Sequence, residues 1–174
     1  MRSFLAVIAA ALIAVPAVAE APEMSTGPVI SDYGPVLPVE NYTPIDPQSV
    51  FKVSFDVAKG AEEGKVNQTL ESAARFLNMH GRAGVDPQNV SLAVVVHGRA
   101  VFDVAKPQQE GAENVSAPLV KALQERGVRI IVCGQSASYQ GLAKEDLLPG
   151  VELALSAMTA HAQLQSAGFA LNPF

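Results

Sequence analysis

Residues 90–96, VSLAVVV, constrain the fold of this chain more than any other segment. The run is apolar, β-branched and of strand length, so it reads as a strand covered on both faces. Such strands belong to parallel sheets, whose crossover connections are helices packed on the sheet faces. The rest of the chain supplies those elements in alternation. Phe51 to Val57 reads as a strand. After the turn between Gly60 and Gly64, Val66, Leu70, Ala73, Ala74 and Leu77 recur at helical spacing, closed by Gly81 and Gly84. A polar loop with Pro107 and Gly111 is expected after Val96, then a helix with Pro118 in its first turn, Leu119, Val120 and Leu123 along it, and Gly127 at its end. Val128 to Val132 reads as a third strand running into Cys133-Gly-Gln-Ser136, with a polar helix or turn to about Gly141. Val151 to Leu155 is a fourth strand; Met158, Ala162, Leu164 and Gln165 lie in a last helix ended by Gly168; Phe169 to Leu171 is a short terminal strand. This alternation predicts an α/β layered domain over residues 50–174, with a mostly parallel sheet of about five strands.

Two segments precede that domain. Residues 1–19 carry Arg2, an apolar run from Phe4 to Val15, and Ala17-Val18-Ala19 as a small-x-small cleavage site. That is the pattern of a secretory signal peptide, and the run is shorter than the roughly 20 residues a membrane span requires. The expected location is therefore periplasmic or secreted, with no membrane segment after signal cleavage. Residues 20–49 hold six of the twelve prolines, which blocks helix and central strand and predicts an extended arm. Val29, Ile30, Tyr33, Val36, Leu37 and Tyr42 make it more apolar than a disordered tail, so it is expected to lie along the domain or a neighbouring subunit.

At 49% hydrophobic residues the chain can bury a core without metal or disulfide staples. Its formal net charge of −5 argues against nucleic acid and anionic membrane as partners. It contains one cysteine, Cys133, so no intramolecular disulfide can form. An unpaired cysteine in an exported protein is either an inert buried side chain or a thiol kept for chemistry, and both readings stand at this point.

Ligands of open parallel sheets bind at the carboxyl ends of the strands. The residues at those ends are Asp56, His97-Gly98, Cys133-Gly134-Gln135-Ser136 and Ser156, and these are the candidate site residues. Cys133 opens a turn whose unpaired N–H groups favour a thiolate. His97 can exchange a proton with it if the two strands are neighbours. Asp56 and Ser156 also fit as helix or turn caps. His80 sits at a helix end, and His161, one turn into the last helix, reads as structural or as an interface residue. Three dispersed histidines and one cysteine offer no metal-ligand spacing, so neither a metal nor another cofactor is expected. There is no CxxC pair, no G-x-G-x-x-G after a strand and no Walker A sequence. No arginine lies between Cys133 and Gln140, which weighs against an anion-cradling Cys-x5-Arg loop.

Residues 90–98 (VSLAVVVHG), the segment from Leu119 to Ser136, Leu147-Leu-Pro-Gly-Val151, Ser156-Ala157 and Leu164-Gln-Ser-Ala-Gly-Phe169 together resemble the DsrE/DsrF-like family. The likeness runs from about Phe51 to the end. It implies a three-layer α/β/α domain that assembles into homo-oligomers. It also implies sulfur handling, with a cysteine that carries sulfane sulfur as a persulfide between a donor and an acceptor protein; Cys133 stands at the corresponding strand end. The alternative is a non-catalytic oligomeric binding or scaffold module of the same fold, with Cys133 in its core.

Overall fold

The computed structural model describes residues 22–109 and 111–172. The signal peptide read over residues 1–19 lies outside them. Within the domain, β1 is Phe51–Val57, α1 Gln68–Arg82, β2 Val90–Val96, α2 Ala117–Glu125, β3 Arg129–Cys133, α3 Gly134–Tyr139, β4 Glu152–Ala154, α4 Ala157–Ser166 and β5 Ala170–Asn172. The five strands form one sheet in the order β4-β3-β2-β1-β5, and every pairing is parallel. No helix among the described residues is long and apolar enough to cross a membrane.

Strand residues alternate between the two faces, and the faces are covered unequally. Val53, Phe55, Val57, Leu92, Val94, Val96, Ile130 and Val132 point into the larger core beneath α1 and α2. Ala93, Val95 and Ile131 point the other way, beneath Ala160 and Leu164 of α4. This gives three layers. The middle strand β2 is apolar on both faces from Leu92 to Val96 because both are covered there, as the run at 90–96 required.

The segment after β2 departs from the expected polar loop. Gly98–Val104 winds as a 3₁₀ helix, with Ala100, Val101 and Val104 fully buried. Ala100, Val101, Val104 and Ala105 draw the backbone onto the core, and the exposed stretch of the connection begins at Lys106.

The proline-rich arm lies against α1 of its own domain. Ser25 and Val36 pair as an antiparallel bridge that closes residues 25–36 into a loop. Asn78, 0% exposed, holds that loop from within: its Oδ1 accepts from the N–H groups of Val29 (3.1 Å) and Ile30 (2.8 Å). Its Nδ2 donates to the carbonyls of Ile30, Tyr33 and Gly34 at 2.9–3.0 Å. Arg75 donates to the Pro35 carbonyl, Arg82 donates to those of Ser25, Thr26 and Gly27, and Glu71 accepts from Gly34 N–H. Positions 71, 75, 78 and 82 form one stripe of the helix, so α1 turns an apolar stripe to the sheet and a polar stripe to the arm. A chain without repeating hydrogen bonds of its own thereby gains partners for its backbone. Gly34 has φ +66° and comes so close that a Cβ there would sit 2.3 Å from the Arg75 nitrogen.

Asn78→Ala is expected to cost about 2–4 kcal/mol in denaturant unfolding, since several buried backbone groups lose their partner together. It should also open residues 25–36 to limited proteolysis; an unchanged midpoint and digestion pattern would count against the clasp.

Candidate functional site

The pleat brings three candidate residues to one face at the carboxyl edge of the sheet. Asp56 shares the parity of Lys52 and Ser54 on β1, His97 has that of Ala93 and Val95, and Cys133 that of Ile131, so all three turn toward α4. The last pairs, Val57 with Val96 and Val96 with Val132, stand side by side. One step further along, His97 and Cys133 leave adjacent strand ends on the same side.

Asp56 is the meeting point of three elements. One carboxylate oxygen accepts from His97 Nε2 at 3.0 Å and the other from His161 Nε2 at 2.8 Å. An ionised carboxylate only accepts, so with Asp56 charged both imidazoles donate from Nε2. Partial burial pushes the Asp56 carboxyl up, but the hydrogen bonds and charges of His97 and His161 outweigh it and hold the group below its ordinary value. Both Nε2 atoms are thus engaged, and among the described residues no His, Cys, Asp or Glu group is arranged to hold a metal ion.

Cys133 is the N-cap residue of α3 and only 5% exposed. Gly134 makes its position possible: a Cβ there would sit 2.6 Å from the Ala154 carbonyl oxygen, so a larger residue would push β4 away. Burial pushes the thiol up. The Ser136 hydroxyl and the backbone N–H groups of Ser136, Ala157 and Gln135 act in the opposite sense, and their sum prevails, so the thiol lies below its ordinary value. None of them closes a strict capping hydrogen bond onto the sulfur; the effect is that of several N–H and O–H dipoles directed at one buried atom. Ser136 Oγ also accepts from Gly98 N–H at 3.0 Å, which ties the His97–Gly98 corner to the cysteine turn. Gly98 has φ +58°, and a Cβ on it would lie 2.9 Å from the Ala58 carbonyl oxygen. Ser156 caps α4, its Oγ accepting from Thr159 N–H at 3.0 Å, and so fixes where Ala157 N–H points.

The structure thus sets Gln135, Ser136 and Ala157 against the thiol, joins Gly98 to Ser136, leaves Ser156 as the cap of α4, and pairs His97 with Asp56 at the neighbouring strand ends. Asp56 is not a cap: its carboxylate is spent on two imidazoles. Sequence reasoning missed His161, whose partner lies 105 positions away in the chain. The only signal for it was its place one turn after Ala157, on the same face of the helix. His80 takes no part. It stacks on Phe76 at 3.9 Å between ring centroids, and its Nδ1 lies 2.8 Å from the Phe76 carbonyl oxygen; since a carbonyl only accepts, Nδ1 carries the hydrogen.

A family model described as DsrE/DsrF-like matches residues 49–173. The chain belongs to the DsrE/DsrF-like family. Two solved structures are similar to it. One, a protein of unknown function, MTH1491, from Methanobacterium thermoautotrophicum, is 23% identical with a TM-score of 0.55, and the likeness covers 71% of this chain and 99% of that one. The other, the ychN protein of E. coli, is 18% identical with a TM-score of 0.48, covering 71% of this chain and 100% of that one. A search of curated proteins finds no match. At these identities the first structure supports the DsrE/DsrF-like fold alone.

The charges at the two centres can be tested separately. Because the folded state holds Asp56 below its ordinary carboxylate value, its contribution to stability is full above that value and is lost as pH falls through the lowered one. The stability gap between the wild type and Asp56→Asn should therefore close on acidification, and a gap independent of pH would contradict the bridge. Ser136→Ala should raise the midpoint of the pH profile for Cys133 alkylation and slow the reaction at neutral pH.

Proposed function

We propose that this protein carries sulfane sulfur as a persulfide on Cys133. The observation that carries the reading is the place of Cys133 at the carboxyl end of β3 and the N-cap of α3, beside the Ser136 hydroxyl that is tied to Gly98, a setting that holds the thiol below its ordinary value. Membership in the DsrE/DsrF-like family, which is linked to sulfur relay, supports it. The step needs little else. The Cys133 thiolate attacks the outer sulfur of a donor persulfide, a Cys133 S–S bond forms as the donor S–S bond breaks, and the donor leaves as a thiolate. Transfer to an acceptor thiolate is the same exchange in reverse, with no net oxidation. His97, at the neighbouring strand end, handles the proton as sulfur arrives and leaves.

The signal-like residues 2–19 support placing this chemistry in the periplasm or outside the cell. Tyr139, Leu153, Leu155 and Met158 are exposed on the elements that flank the cysteine turn. Apolar exposure of that kind supports contact with a donor or acceptor protein, or a homo-oligomer.

One observation favours the second reading, a binding or scaffold module with a structural cysteine: the thiol is 5% exposed. Intact-mass analysis after polysulfide treatment separates the two. A sulfur carrier gains the mass of one sulfur atom, reversibly, and Cys133→Ser does not. A wild type that gains nothing, and whose native thiol resists maleimide, would establish the structural reading instead.

A further inference from the structure

His161 lies on α4, four residues after Ala157, so the two share a helix face. Ala157 N–H acts on the Cys133 sulfur, and His161 Nε2 holds Asp56 at 2.8 Å. Asp56 in turn holds His97 at 3.0 Å. Cys133 pairs in register with Ala154, three residues before α4 begins, so the start of this helix is anchored to the cysteine strand at one end and to β1 through His161 at the other. The His161 side chain is 14% exposed, and its second ring nitrogen, Nδ1, is buried with no protein partner. An apolar residue would fill that place without leaving a polar atom unsatisfied. Packing alone therefore does not account for a histidine here, whereas its bond to Asp56 does.

We infer that His161 is a positioning residue of the Cys133 site, which clamps α4 to β1 through Asp56 so that Ala157 N–H stays at the sulfur and the Asp56 carboxylate stays on His97. It touches neither the sulfur nor any transferred atom. The inference rests on the reading of Cys133 as the working sulfur. The titratable groups facing this corner are Asp56 from β1, His97 from β2 and His161 from α4; Arg129 and Glu152, on β3 and β4, are bound to each other farther back along their strands.

The test compares wild type, His161→Leu and His161→Gln in the full chain. Glutamine presents an amide donor close to the position of Nε2, whereas leucine presents none. The readouts are the pH midpoint of Cys133 thiolate formation by ultraviolet absorbance and the ring titration of His97 by NMR. His161→Leu should raise the thiolate midpoint enough to slow alkylation roughly three- to ten-fold at neutral pH, and should shift the His97 titration. His161→Gln should restore both. Unmoved midpoints in a folded His161→Leu protein would overturn the inference, as would a glutamine variant that behaves like leucine. Should His161→Leu not fold, the wild type still decides: nitrogen NMR must find a hydrogen on Nε2 of both His161 and His97, and a His161 whose only ring hydrogen is on Nδ1 overturns the clamp. These readouts report protonation, not sulfur loading. Failure of polysulfide to load Cys133 would thus remove the carrier reading and leave the clamp standing, whereas normal loading with unmoved midpoints would do the reverse.

Discussion

Three central strands run in the same direction with their last pairs level, Val57 with Val96 and Val96 with Val132, and the pleat then decides what the rim contains. Because side chains alternate, Asp56, His97 and Cys133 emerge on the face opposite the large core. The sheet order places β4 and β5 at opposite edges, so the connection between them must cross that face, and α4 is the crossing. Its first residue arrives at the cysteine and its next turn at Asp56. The geometry of the site is thus a consequence of parallel register and one long crossover, with strand ends and helix starts supplying the parts.

The same electrostatic balance is struck twice. At Asp56 and at Cys133, burial is the largest single influence and opposes the charged form; at both, several donors acting together outweigh it. Donors on rigid elements cost little to arrange at the moment of reaction, which is the advantage of fixed dipoles over water. Ser136 Oγ links the two centres by accepting from Gly98 N–H while facing the thiol. The arm is organised separately. It is held by the polar stripe of α1, in the layer on the other side of the sheet from α4, so its clasp at Asn78 and the chemistry at the rim can be altered independently.

Much of this was legible from residue patterns. The double-faced apolar run at 90–96 implied a covered parallel strand, and the carboxyl ends of the strands gave Asp56, His97, Cys133 and Ser156 as one rim. Other features were not legible. Glu71, Arg75, Asn78 and Arg82 look in sequence like any solvated helix face, and only the docked arm shows that they form a clasp. The buried winding of Gly98–Val104 was hidden by the polar residues after it. His161 was legible only as a structural or interface residue; its partner Asp56 depends on strand order and on the crossing of α4, which spacing along the chain does not encode.

The central claim is that the surroundings of Cys133 overcome its burial and favour the thiolate. The most direct measurement is an NMR titration of protein carrying isotopically labelled cysteine, tracking the Cβ resonance of Cys133 with pH. Ionisation is predicted below the ordinary thiol value in the native protein and at that value once it is unfolded. A native Cys133 that ionises at or above the ordinary value would make it a buried apolar side chain, and the thiolate reading of the site would fail.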